Sequence, residues 1–375
     1  MAQATAAAGK GLEGVTATTS AISSIIGSTL TYRGIDINEL AEHSSFEEVA
    51  YLLWCGELPK RRQLEDFKQE LADQRELSPQ LLEAIGRFPS NANPMVSLRT
   101  AASMLAFYEP LAEDMEEDAN RKKAVGLLAK LPTIVAAIQR LRSGQTPVAP
   151  DPSLTEAANF LYMLSNERPP DSTARIMDVV LILHADHELN ASTFAARVAA
   201  STLSDMHSAV VAALCTLKGP LHGGANQAVM AMLERIGSVE NVPTYIRGAL
   251  ERKERIMGFG HRVYKEGDPR ARWLKSLSER LARETGNPKW IEISKGIEEA
   301  VKADKGLLPN VDFYSASVYT YLGMPRDLFT AIFAMSRVSG WIAHILEQYG
   351  NNRLIRPRAE YIGPPQRPYV PLSER

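Results

Sequence analysis

The sequence predicts an all-α protein with a small β-hairpin near its N-terminus. Helical periodicity covers nearly everything after residue 36, and the one strand-like stretch comes before it. The chain has 375 residues and is 45% hydrophobic, which is enough to bury a large core in one domain or in two unequal ones. At this length we expect about fifteen or more helices.

The elements near the N-terminus are a hairpin and a first strong helix. The stretch SSIIGSTLTYRG has two short strand-like runs around Gly27 and Ser28, a pattern typical of a hairpin turn. Further on, FEEVAYLLWCGELP places Val49 and Leu52 near one helical face, and Pro59 follows the end of that pattern. We therefore expect a hairpin followed by a helix that ends before the proline.

A charge-rich segment predicts a second, smaller domain. RGALERKERIM and PRARWLKSLSERLARETG, both within residues 226–317, are amphipathic helical patterns with strongly charged faces. Because no Pro/Ser-rich linker flanks this segment, we interpret it as an insertion into a larger domain. The predicted division is a large helical domain over 1–225 and 318–375 and a small helical domain over 226–317.

The C-terminal part combines the longest apolar pattern with an irregular tail. DLFTAIFAMSRVSGWIAHILEQYG predicts a long helix that Gly350 ends as a C-cap. The last nineteen residues carry five prolines and show neither helical nor strand periodicity. Because Tyr361, Ile362 and Tyr369 give this tail apolar surface to bury, we expect it to dock onto a partner subunit.

Composition argues against several classes of protein. The 42 Lys and Arg balance 44 Asp and Glu, so a generic nucleic-acid binder is not indicated. Cys55 and Cys215 lie in apolar helical patterns, where we expect reduced core residues. MAQATAAAGK resembles neither a signal nor a transit peptide, and no uninterrupted apolar run reaches the roughly 18 residues of a membrane span. We expect a soluble cytoplasmic protein without a membrane partner.

Two histidines lie beside glycines that break helices. LKGPLHGGANQAV holds His222 between a Gly-Pro turn and a Gly-Gly pair, with no acidic residue in the stretch. IMGFGHRVYKEGDPRAR holds His261 after Gly258 and Gly260 and before a cluster of cations, a combination that suits a polyanionic ligand. For Lys265 and Arg272 a solvated helix start is an equally good interpretation.

The other histidines have less specific settings. In LILHADHELNAST, His184 and His187 are three residues apart, but a metal-dependent hydrolase would need a histidine at position 191, which is alanine. The segment after them is a helix end and restart with Asn190 or Ser192 as cap, and a histidine before such a break can point at a ligand. His43 and His207 occupy polar helix ends, and we expect His344 to be an outer or solvated group near Arg337.

One aspartate and three arginines complete the candidate site. Asp312, between Val311 and Phe313, is either a helix N-cap or a carboxylate in a dry site, where its pKa would rise. Arg270, Arg337 and Arg356 occur in settings where a guanidinium needs an anion, and a carboxylate is the usual one. These residues alone predict acid–base chemistry on a small di- or tricarboxylate without a metal. A non-catalytic polyacid-binding protein is the alternative, and the presence of Asp312 argues against it.

Four motifs in order resemble the citrate synthase family in its short bacterial form: GPLHGGAN, GFGHRVYKEGDPR, PNVDFYS and RLIRPRAEYIGP. GLEGVTATTSAIS and TYRGIDI extend the resemblance over essentially the whole chain. The resemblance implies an all-α homodimer whose large and small domains close over substrate. It implies condensation of acetyl-CoA with oxaloacetate to give citrate and CoA, the entry to the tricarboxylic acid cycle. A 2-methylcitrate synthase that uses propionyl-CoA, or dual activity, is the alternative.

The resemblance also implies roles for individual residues. His222, His261 and Asp312 match the catalytic positions of the family: Asp312 would take the methyl proton, His222 would donate to the thioester oxygen, and His261 would polarise the ketone. Four residues match the oxaloacetate ligands: His187, Arg270, Arg337 and Arg356, the last reaching across the dimer. The CoA-binding stretch would comprise Arg255, Ile256, Met257, Gly258, Phe259 and Lys265. No cofactor or metal is implied, because the CoA thioester is a substrate.

Overall fold

The N-terminal sheet has one strand more than the sequence predicts. The computed structural model describes residues 10–12, 14–261, 264 and 266–375. Strands β1 (Ser23–Ile26) and β2 (Thr29–Tyr32) form the predicted antiparallel hairpin, and Gly27 adopts a positive φ in its turn. A third strand, β3 (Ile35–Asp36), adds antiparallel to β2. Two residues are too few to show strand periodicity, so β3 could not be predicted from its sequence pattern.

The rest of the fold is helical, which confirms the predicted class, with 63% helix and 3% strand. Sixteen α-helices lie in the described part of the chain. They are α1 (Ile37–His43), α2 (Phe46–Cys55), α3 (Arg61–Gln74), α4 (Pro79–Gly86), α5 (Pro94–Met104), α6 (Glu117–Arg142), α7 (Glu156–Ser165), α8 (Asp171–His184), α9 (Ala191–Ser201), α10 (Met206–Leu217), α11 (Ala225–Ile236), α12 (Val242–Glu251), α13 (Pro269–Thr285), α14 (Lys289–Lys305), α15 (Val311–Tyr321) and α16 (Phe329–Gly350).

Two long apolar helices form the centre of the core. The segments Glu117–Arg142 and Arg326–Gly350 are long and apolar enough to cross a membrane by length and composition, yet 83% and 100% of their most apolar windows are buried inside the protein. Apolar residues surround a helix on all sides when the helix lies in the interior of a large protein. These are therefore core helices. α16 extends to Gly350, as the pattern predicts, but the cap is Asn351, one residue after the predicted Gly350 cap.

Side-chain caps fix the starts of the helices that border the site. Asn190, Asp268 and Asn310 cap α9, α13 and α15, and each accepts a hydrogen bond from a backbone amide two or three residues further on. Such caps satisfy amides that have no partner inside the helix. Of the two cap candidates before α9, Asn190 is the cap.

The charge-rich segment folds into α11 to α15, which pack against one another, and α13 also contacts α1 and α8. A boundary between residues 317 and 318 would fall inside the continuous helix α15. The division into a large and a small domain stays a prediction.

Two cysteines depart from the expectation of a buried position. Cys55 and Cys215 are both exposed free thiols. Cys55 is the last residue of α2, next to the Gly56 cap, and Cys215 lies on the solvent-facing side of α10. An apolar pattern does not tell which side of a helix faces outward when small residues occupy both sides, so the core assignment was wrong.

Candidate active site

The candidate site forms where helices break. His187 lies in the loop between α8 and α9, His222 in the turn between α10 and α11, and His261 in the segment before α13. Asp312 is in the first turn of α15, and Arg337 lies within α16. Each break carries a polar side chain toward the others without interrupting the core helices.

The turn that holds His222 requires glycine at position 223. A Cβ at Gly223 would lie 2.6 Å from the Leu217 carbonyl oxygen and 2.7 Å from the Leu217 side chain. The Gly223 amide donates to that same carbonyl at 2.9 Å, and the Gly223 carbonyl accepts from Thr330 Oγ1 at 3.1 Å. The chain therefore folds back tightly onto the end of α10, and the imidazole projects from a fixed backbone.

Ser192 sets the tautomer of His222. The Ser192 amide donates to His222 Nε2 at 3.3 Å, and the Ser192 hydroxyl lies 2.8 Å from the same nitrogen. Because an amide can only donate, Nε2 is the acceptor and Nδ1 carries the proton. Burial lowers the pKa of His222 to about 4, with a smaller contribution from Arg337. His222 is therefore a neutral imidazole that offers an Nδ1–H donor.

His187, His261 and Tyr264 form a compact aromatic group. The two imidazole centroids lie 5.1 Å apart, and the Tyr264 ring is 5.6 Å from His187 and 4.6 Å from His261. The Tyr264 amide donates to His261 Nδ1 at 3.3 Å, which assigns the ring proton of neutral His261 to Nε2. The Tyr264 hydroxyl is 3.1 Å from His187 Nε2. Burial lowers the pKa of both histidines, and Arg270 lowers them further.

Asp312 is the dry carboxylate rather than the helix cap. Asn310 caps α15 and accepts from the Asp312 amide at 3.1 Å. The neighbours Val311 and Phe313 are buried, and burial raises the pKa of Asp312 to about 7, against opposing interactions with Arg270 and Arg337. Asp312 itself is half-buried, and of the two interpretations of the sequence the structure supports the carboxylate among buried apolar neighbours. Such a group can accept a proton near neutral pH.

Arg270 is paired with a carboxylate of its own chain. Its Nε and Nη2 donate to Asp268 Oδ1 and Oδ2 at 2.9 and 2.7 Å, and both side chains are almost fully buried. Asp268 Oδ2 also accepts from the Val311 amide at 3.1 Å, which joins this pair to the helix that carries Asp312. Burial alone would lower the pKa of Arg270, but Asp268 more than offsets it and the pKa is raised.

Arg337 is equally buried and lacks such a partner. Its exposure is 2%, its Nε donates to the His184 carbonyl at 2.6 Å, and its guanidinium lies 4.7 Å from the centroid of the Phe333 ring. Within the described residues it forms no ion pair. Burial lowers its pKa to about 10, and Asp186 is the largest opposing influence. A buried guanidinium in this state is suited to bind an added carboxylate.

Comparison with known proteins identifies the family. The chain matches the family described as "Citrate synthase, C-terminal domain" over residues 11–358. It is 56% identical over 367 residues to "Citrate synthase 2" of Bacillus subtilis, covering 98% of this chain and 99% of the relative. The chain belongs to the citrate synthase family.

This citrate synthase family member is also similar to a 2-methylcitrate synthase and to a citrate synthase solved with two ligands. "2-methylcitrate synthase" of Shewanella oneidensis is 43% identical over 378 residues, which covers 100% of both chains. A citrate synthase of Thermoplasma acidophilum, solved as a ternary complex with carboxymethyl coenzyme A and oxaloacetate, has a TM-score of 0.92 and 36% identity. That comparison covers 98% of this chain and 99% of the solved one.

In this citrate synthase family member, the stretch expected to bind CoA is hydrogen-bonded to the loop that precedes α15, the helix that carries Asp312. The Asn310 amide donates to the Gly258 carbonyl at 2.9 Å, and the Gly260 amide donates to the Leu308 carbonyl at 3.0 Å. Gly258 has a φ of +82°, and a Cβ there would lie 2.8 Å from Phe313 and Val229. Among the other members of the stretch, Ile256 and Phe259 are buried, Met257 is half-buried and Arg255 is exposed. Lys265 lies outside the described residues.

Arg356 is the one described member of the predicted oxaloacetate set that lies apart from the others. It is exposed in the tail beyond α16, while the neighbouring Ile355 amide donates to Ser201 Oγ at 3.0 Å. Residues 351–371 have no regular secondary structure, and a short 3-10 turn follows at Leu372–Glu374. The assignment of Arg356 to a partner's site stays a prediction.

The remaining histidines occupy structural positions. His184 is fully buried, and its Nδ1 donates to the Val180 carbonyl at 2.8 Å; burial lowers its pKa to about 3. In the described part of the chain no group of three or more His, Cys, Asp or Glu residues could hold a metal ion. His344, expected as an outer or solvated group, is fully buried instead, because it lies in the core helix α16, and Arg197 and Asp186 bond both its ring nitrogens.

Three functional contributions were missed in the sequence. Ser192 was a cap candidate, yet its amide and hydroxyl orient His222 across thirty residues of chain. Tyr264 contacts two histidines, and nothing in its local pattern indicated this. Asp268 had a local signal, because Asp-Pro at a helix start predicts an N-cap, and a cap carboxylate two residues before Arg270 can also pair with it.

Proposed function

We propose that this chain is a citrate synthase that condenses oxaloacetate with acetyl-CoA and hydrolyses the resulting thioester to citrate and CoA. The observation that carries the proposal is the combination of Asp312, whose pKa is raised to about 7, with two buried guanidiniums and neutral histidines in one site. The Thermoplasma acidophilum structure supports the substrate pair, because its complex holds oxaloacetate and a CoA analogue.

Oxaloacetate binds first, in the half of the site that carries the arginines. Arg337 supplies a guanidinium that no carboxylate of the described residues pairs with. Arg270 supplies Nη1, since its Nε and Nη2 already bond Asp268. Charge-assisted bonds to carboxylates are among the strongest polar contacts in proteins, and guanidiniums bind them in a fixed geometry. His187, held by Tyr264, completes this side. The bound dicarboxylate then presents its ketone to His261.

The second step forms an enol from the acetyl group. The methyl of a thioester is a weak acid, so Asp312 removes the proton while His222 Nδ1–H donates a hydrogen bond to the thioester oxygen. A neutral imidazole suits this role, because its N–H can donate a hydrogen bond to the developing oxyanion and the ring does not have to be protonated first. The tautomer that Ser192 enforces on His222 supplies that donor.

Carbon–carbon bond formation and hydrolysis follow. The enol carbon attacks the ketone carbon of oxaloacetate and the thioester C=O re-forms. The ketone oxygen takes the Nε2 proton of His261 to become the hydroxyl of citrate, so the proton that citrate gains balances the one that Asp312 removed. Water then attacks the thioester carbonyl of the citryl-CoA, the carbon–sulfur bond breaks, and CoA leaves as the thiol. We place CoA along Arg255 to Phe259, with Lys265 near its phosphates, because this stretch is bonded to the loop that precedes Asp312.

The proposal is tested by steady-state rates of CoA release with oxaloacetate and either acetyl-CoA or propionyl-CoA. We expect kcat/KM to be higher with acetyl-CoA. One methylene changes specificity by only about 1–3 kcal/mol, so a measurable secondary rate with propionyl-CoA is also expected. A preference for propionyl-CoA would assign the chain to 2-methylcitrate synthesis, an alternative consistent with the full-length similarity, at 43% identity, to the Shewanella oneidensis enzyme. No release with either thioester would reject both.

We also infer a cytoplasmic homodimer in which Arg356 completes the partner's dicarboxylate site. In one chain the tail exposes Tyr361, Ile362 and Tyr369, with exposed fractions of 78%, 92% and 79%, so an isolated chain would leave apolar surface in water. The last nineteen residues, if extended, can span up to about 60 Å at roughly 3.1 Å per residue, which is enough to cross a dimer interface.

Subunit mixing tests that inference. Arg356→Leu subunits and Asp312→Asn subunits are each expected to be poorly active. If Arg356 acts on the partner's site, every mixed dimer has one intact site, and activity returns toward about a quarter of the wild-type value. If Arg356 acts within its own chain, no site is intact. Absence of recovery after verified subunit exchange would overturn the shared site.

A further inference from the structure

One hydroxyl fastens the His187 loop to the N-terminal sheet. Ser23 Oγ, at the start of β1, donates to Asp186 Oδ2 at 2.5 Å and accepts from the Glu188 amide at 2.9 Å. These contacts lie on either side of His187 in the chain, so Ser23 restrains the backbone before and after it. Glu188 Oε1 also accepts from the Ile25 amide at 2.9 Å, and Glu188 itself adopts a φ of +47°. A non-glycine residue at positive φ persists only where its surroundings hold it.

Asp186 is the buried charge at the centre of this arrangement. Its exposure is 0%, and His344 Nε2 donates to its Oδ2 at 3.3 Å. Arg197 Nη1 donates to His344 Nδ1 at 3.1 Å, and because a guanidinium can only donate, the proton of a neutral His344 is on Nε2. Burial would raise the pKa of Asp186, but His344, Arg337 and Ser23 outweigh it and lower the pKa, so the carboxylate stays ionised.

The series of hydrogen bonds that starts at Ser23 ends on the backbone just before β1, two residues from Ser23. Arg197 forms an ion pair with Glu347 at 2.5 Å, and Glu347 Oε1 accepts from the Ala21 amide at 2.8 Å. The ring therefore runs from Ser23 through Asp186, His344, Arg197 and Glu347 back to residue 21. A closed ring of bonded groups holds each member more firmly than isolated pairs do.

The same carboxylate influences Arg337. Among the charges that act on Arg337, Asp186 makes the largest favourable contribution, against a burial that disfavours the guanidinium cation. The backbone on either side is also packed closely: the Gly340 amide, one turn along α16, donates to the Ala185 carbonyl at 3.1 Å. A Cβ at Gly340 would lie 2.4 Å from that oxygen and 2.5 Å from Asp186 Oδ1. α16 and the His187 loop are thus held in direct contact.

We propose that Asp186 is a positioning residue of the dicarboxylate site, which fixes His187 through Ser23 and supplies the buried negative charge that stabilises Arg337. The inference rests on the proposed function, in which His187 and Arg337 bind oxaloacetate. It makes strand β1 part of the substrate site, although none of its residues matched a family site position. Asp186 acts through two ligand-binding side chains and not on the reacting atoms.

The test compares three substitutions with a neighbouring control. Asp186→Asn removes the charge and keeps the shape, Ser23→Ala removes the hydroxyl, and Ser23→Thr retains it. Ser24→Ala is the control, because Ser24 Oγ bonds only across the hairpin to Thr31 Oγ1 at 2.9 Å among the contacts of the described residues. Each variant is checked by its thermal midpoint and then assayed for the KM of each substrate and for kcat.

A selective effect on oxaloacetate is the expected result. The KM for oxaloacetate should rise at least about tenfold in Asp186→Asn and about threefold in Ser23→Ala, while the KM for acetyl-CoA stays within about twofold. Ser23→Thr and Ser24→Ala should keep both KM values near those of the wild type. Unchanged oxaloacetate KM in folded Asp186→Asn and Ser23→Ala, or equal increases in both KM values, would overturn the proposal. If Asp186→Asn does not fold, the contrast between Ser23→Ala and Ser23→Thr decides.

Calorimetric titration of oxaloacetate in the absence of acetyl-CoA separates this inference from the proposed function. A wild-type chain that binds oxaloacetate but releases no CoA would reject the function alone, and weaker binding in Ser23→Ala would still support the positioning role. A wild-type chain that catalyses the reaction, with unaltered oxaloacetate binding in both variants, would reject the positioning role alone.

Discussion

Asp312 and Arg337 lie in the same site, and burial favours the uncharged form of both, with different consequences for the two halves. Burial raises the pKa of Asp312 to about 7, so a carboxylate that is ordinarily a weak base becomes able to take a proton near neutral pH. Burial lowers the pKa of Arg337 to about 10, which still leaves the guanidinium charged at neutral pH. Burial therefore makes Asp312 a better base, while it leaves Arg337 as a cation without a carboxylate partner among the described residues.

Arg270 shows what happens when the partner is built in. Asp268 pairs with it through two hydrogen bonds, and the pKa of Arg270 rises where that of Arg337 falls. Arg270 therefore contributes to the folded state before substrate arrives. Arg337 is suited to gain its carboxylate from the substrate. The difference between the two arginines predicts that their removal will have different effects on stability.

The largest expected effect is on stability in Arg270→Leu. Removing this guanidinium leaves Asp268 buried and unpaired, and breaking a buried pair on one side costs about 3–5 kcal/mol in the free energy of unfolding. Urea unfolding of the wild type and variant measures the difference. Arg272→Leu, an exposed neighbour on α13, is the control and should change stability little. Asp268→Asn added to Arg270→Leu should recover part of the loss; no loss in the single variant would contradict the pairing argument.

The next effect is on catalysis in Asp312→Asn. An amide cannot accept the methyl proton as a carboxylate does, so kcat should fall at least about 10²-fold, while oxaloacetate binding changes little. Initial rates at saturating substrates and calorimetry of oxaloacetate measure the two quantities. Asp304→Asn, an exposed carboxylate at the end of α14, is the matched control. A folded Asp312→Asn protein with near-normal kcat would remove Asp312 from the role of base.

A smaller effect, on binding, is expected for Arg337→Leu. Losing one charge-assisted contact should weaken oxaloacetate binding by about 1.5–3 kcal/mol, with far less effect on the KM for acetyl-CoA. Because no internal carboxylate pairs directly with Arg337 in the described residues, its loss should reduce stability less than Arg270→Leu does. Oxaloacetate titrations and urea unfolding of both variants make the comparison. Weaker CoA binding with unchanged oxaloacetate binding would show that the two substrate regions are exchanged.

The sequence predicted correctly those turns and helix ends that depend on residues only a few positions apart. The hairpin around Gly27, the helix break before Asn190 and the turn at His222 all depend on glycines and capping residues within a few positions, and the structure has them. For Asp312 the sequence left two interpretations open, a helix N-cap or a carboxylate in a dry site, because its apolar neighbours fit both. The structure decides between them, since Asn310 occupies the cap position.

Contacts between distant segments could not be predicted in the same way. Ser23 and Asp186 are separated by 163 positions, and the chain gives no period or spacing that joins them. The same holds for His344: the core position of α16 buries it, but its sequence pattern did not indicate that Asp186 and Arg197 would bond its ring nitrogens. Tertiary packing decides which side of a helix is inside, and for this reason the two cysteines were misplaced as well.

The smallest expected effect is the pH dependence of kcat/KM that the ionisation of Asp312 causes. Asp312 acts as a base only when ionised, so with a pKa of about 7 the value of kcat/KM for acetyl-CoA should fall roughly fivefold between pH 7 and pH 6. His222, whose pKa is about 4, and Arg337, whose pKa is about 10, keep their charge states over this interval and add no slope. The pH profile of Asp304→Asn should match the wild type, and a midpoint near the ordinary carboxyl value would contradict the effect of burial.

The contribution of Asp312 to stability should rise as the pH falls from 7 to 6, whereas activity should fall. A loss of activity at pH 6 can therefore be distinguished from unfolding. The folded state holds the Asp312 proton more tightly than the unfolded state, because its pKa is raised from an ordinary value of 3.8 to about 7. Protonation therefore favours folding, and the contribution of Asp312 to the free energy of unfolding increases as the pH falls from about 7 toward 4. Urea unfolding of wild type and Asp312→Asn at pH 7.5 and pH 6 isolates it, because the variant lacks the titrating group. A lower activity at pH 6, together with a wild-type stability that rises relative to the variant, is the result expected of a buried base.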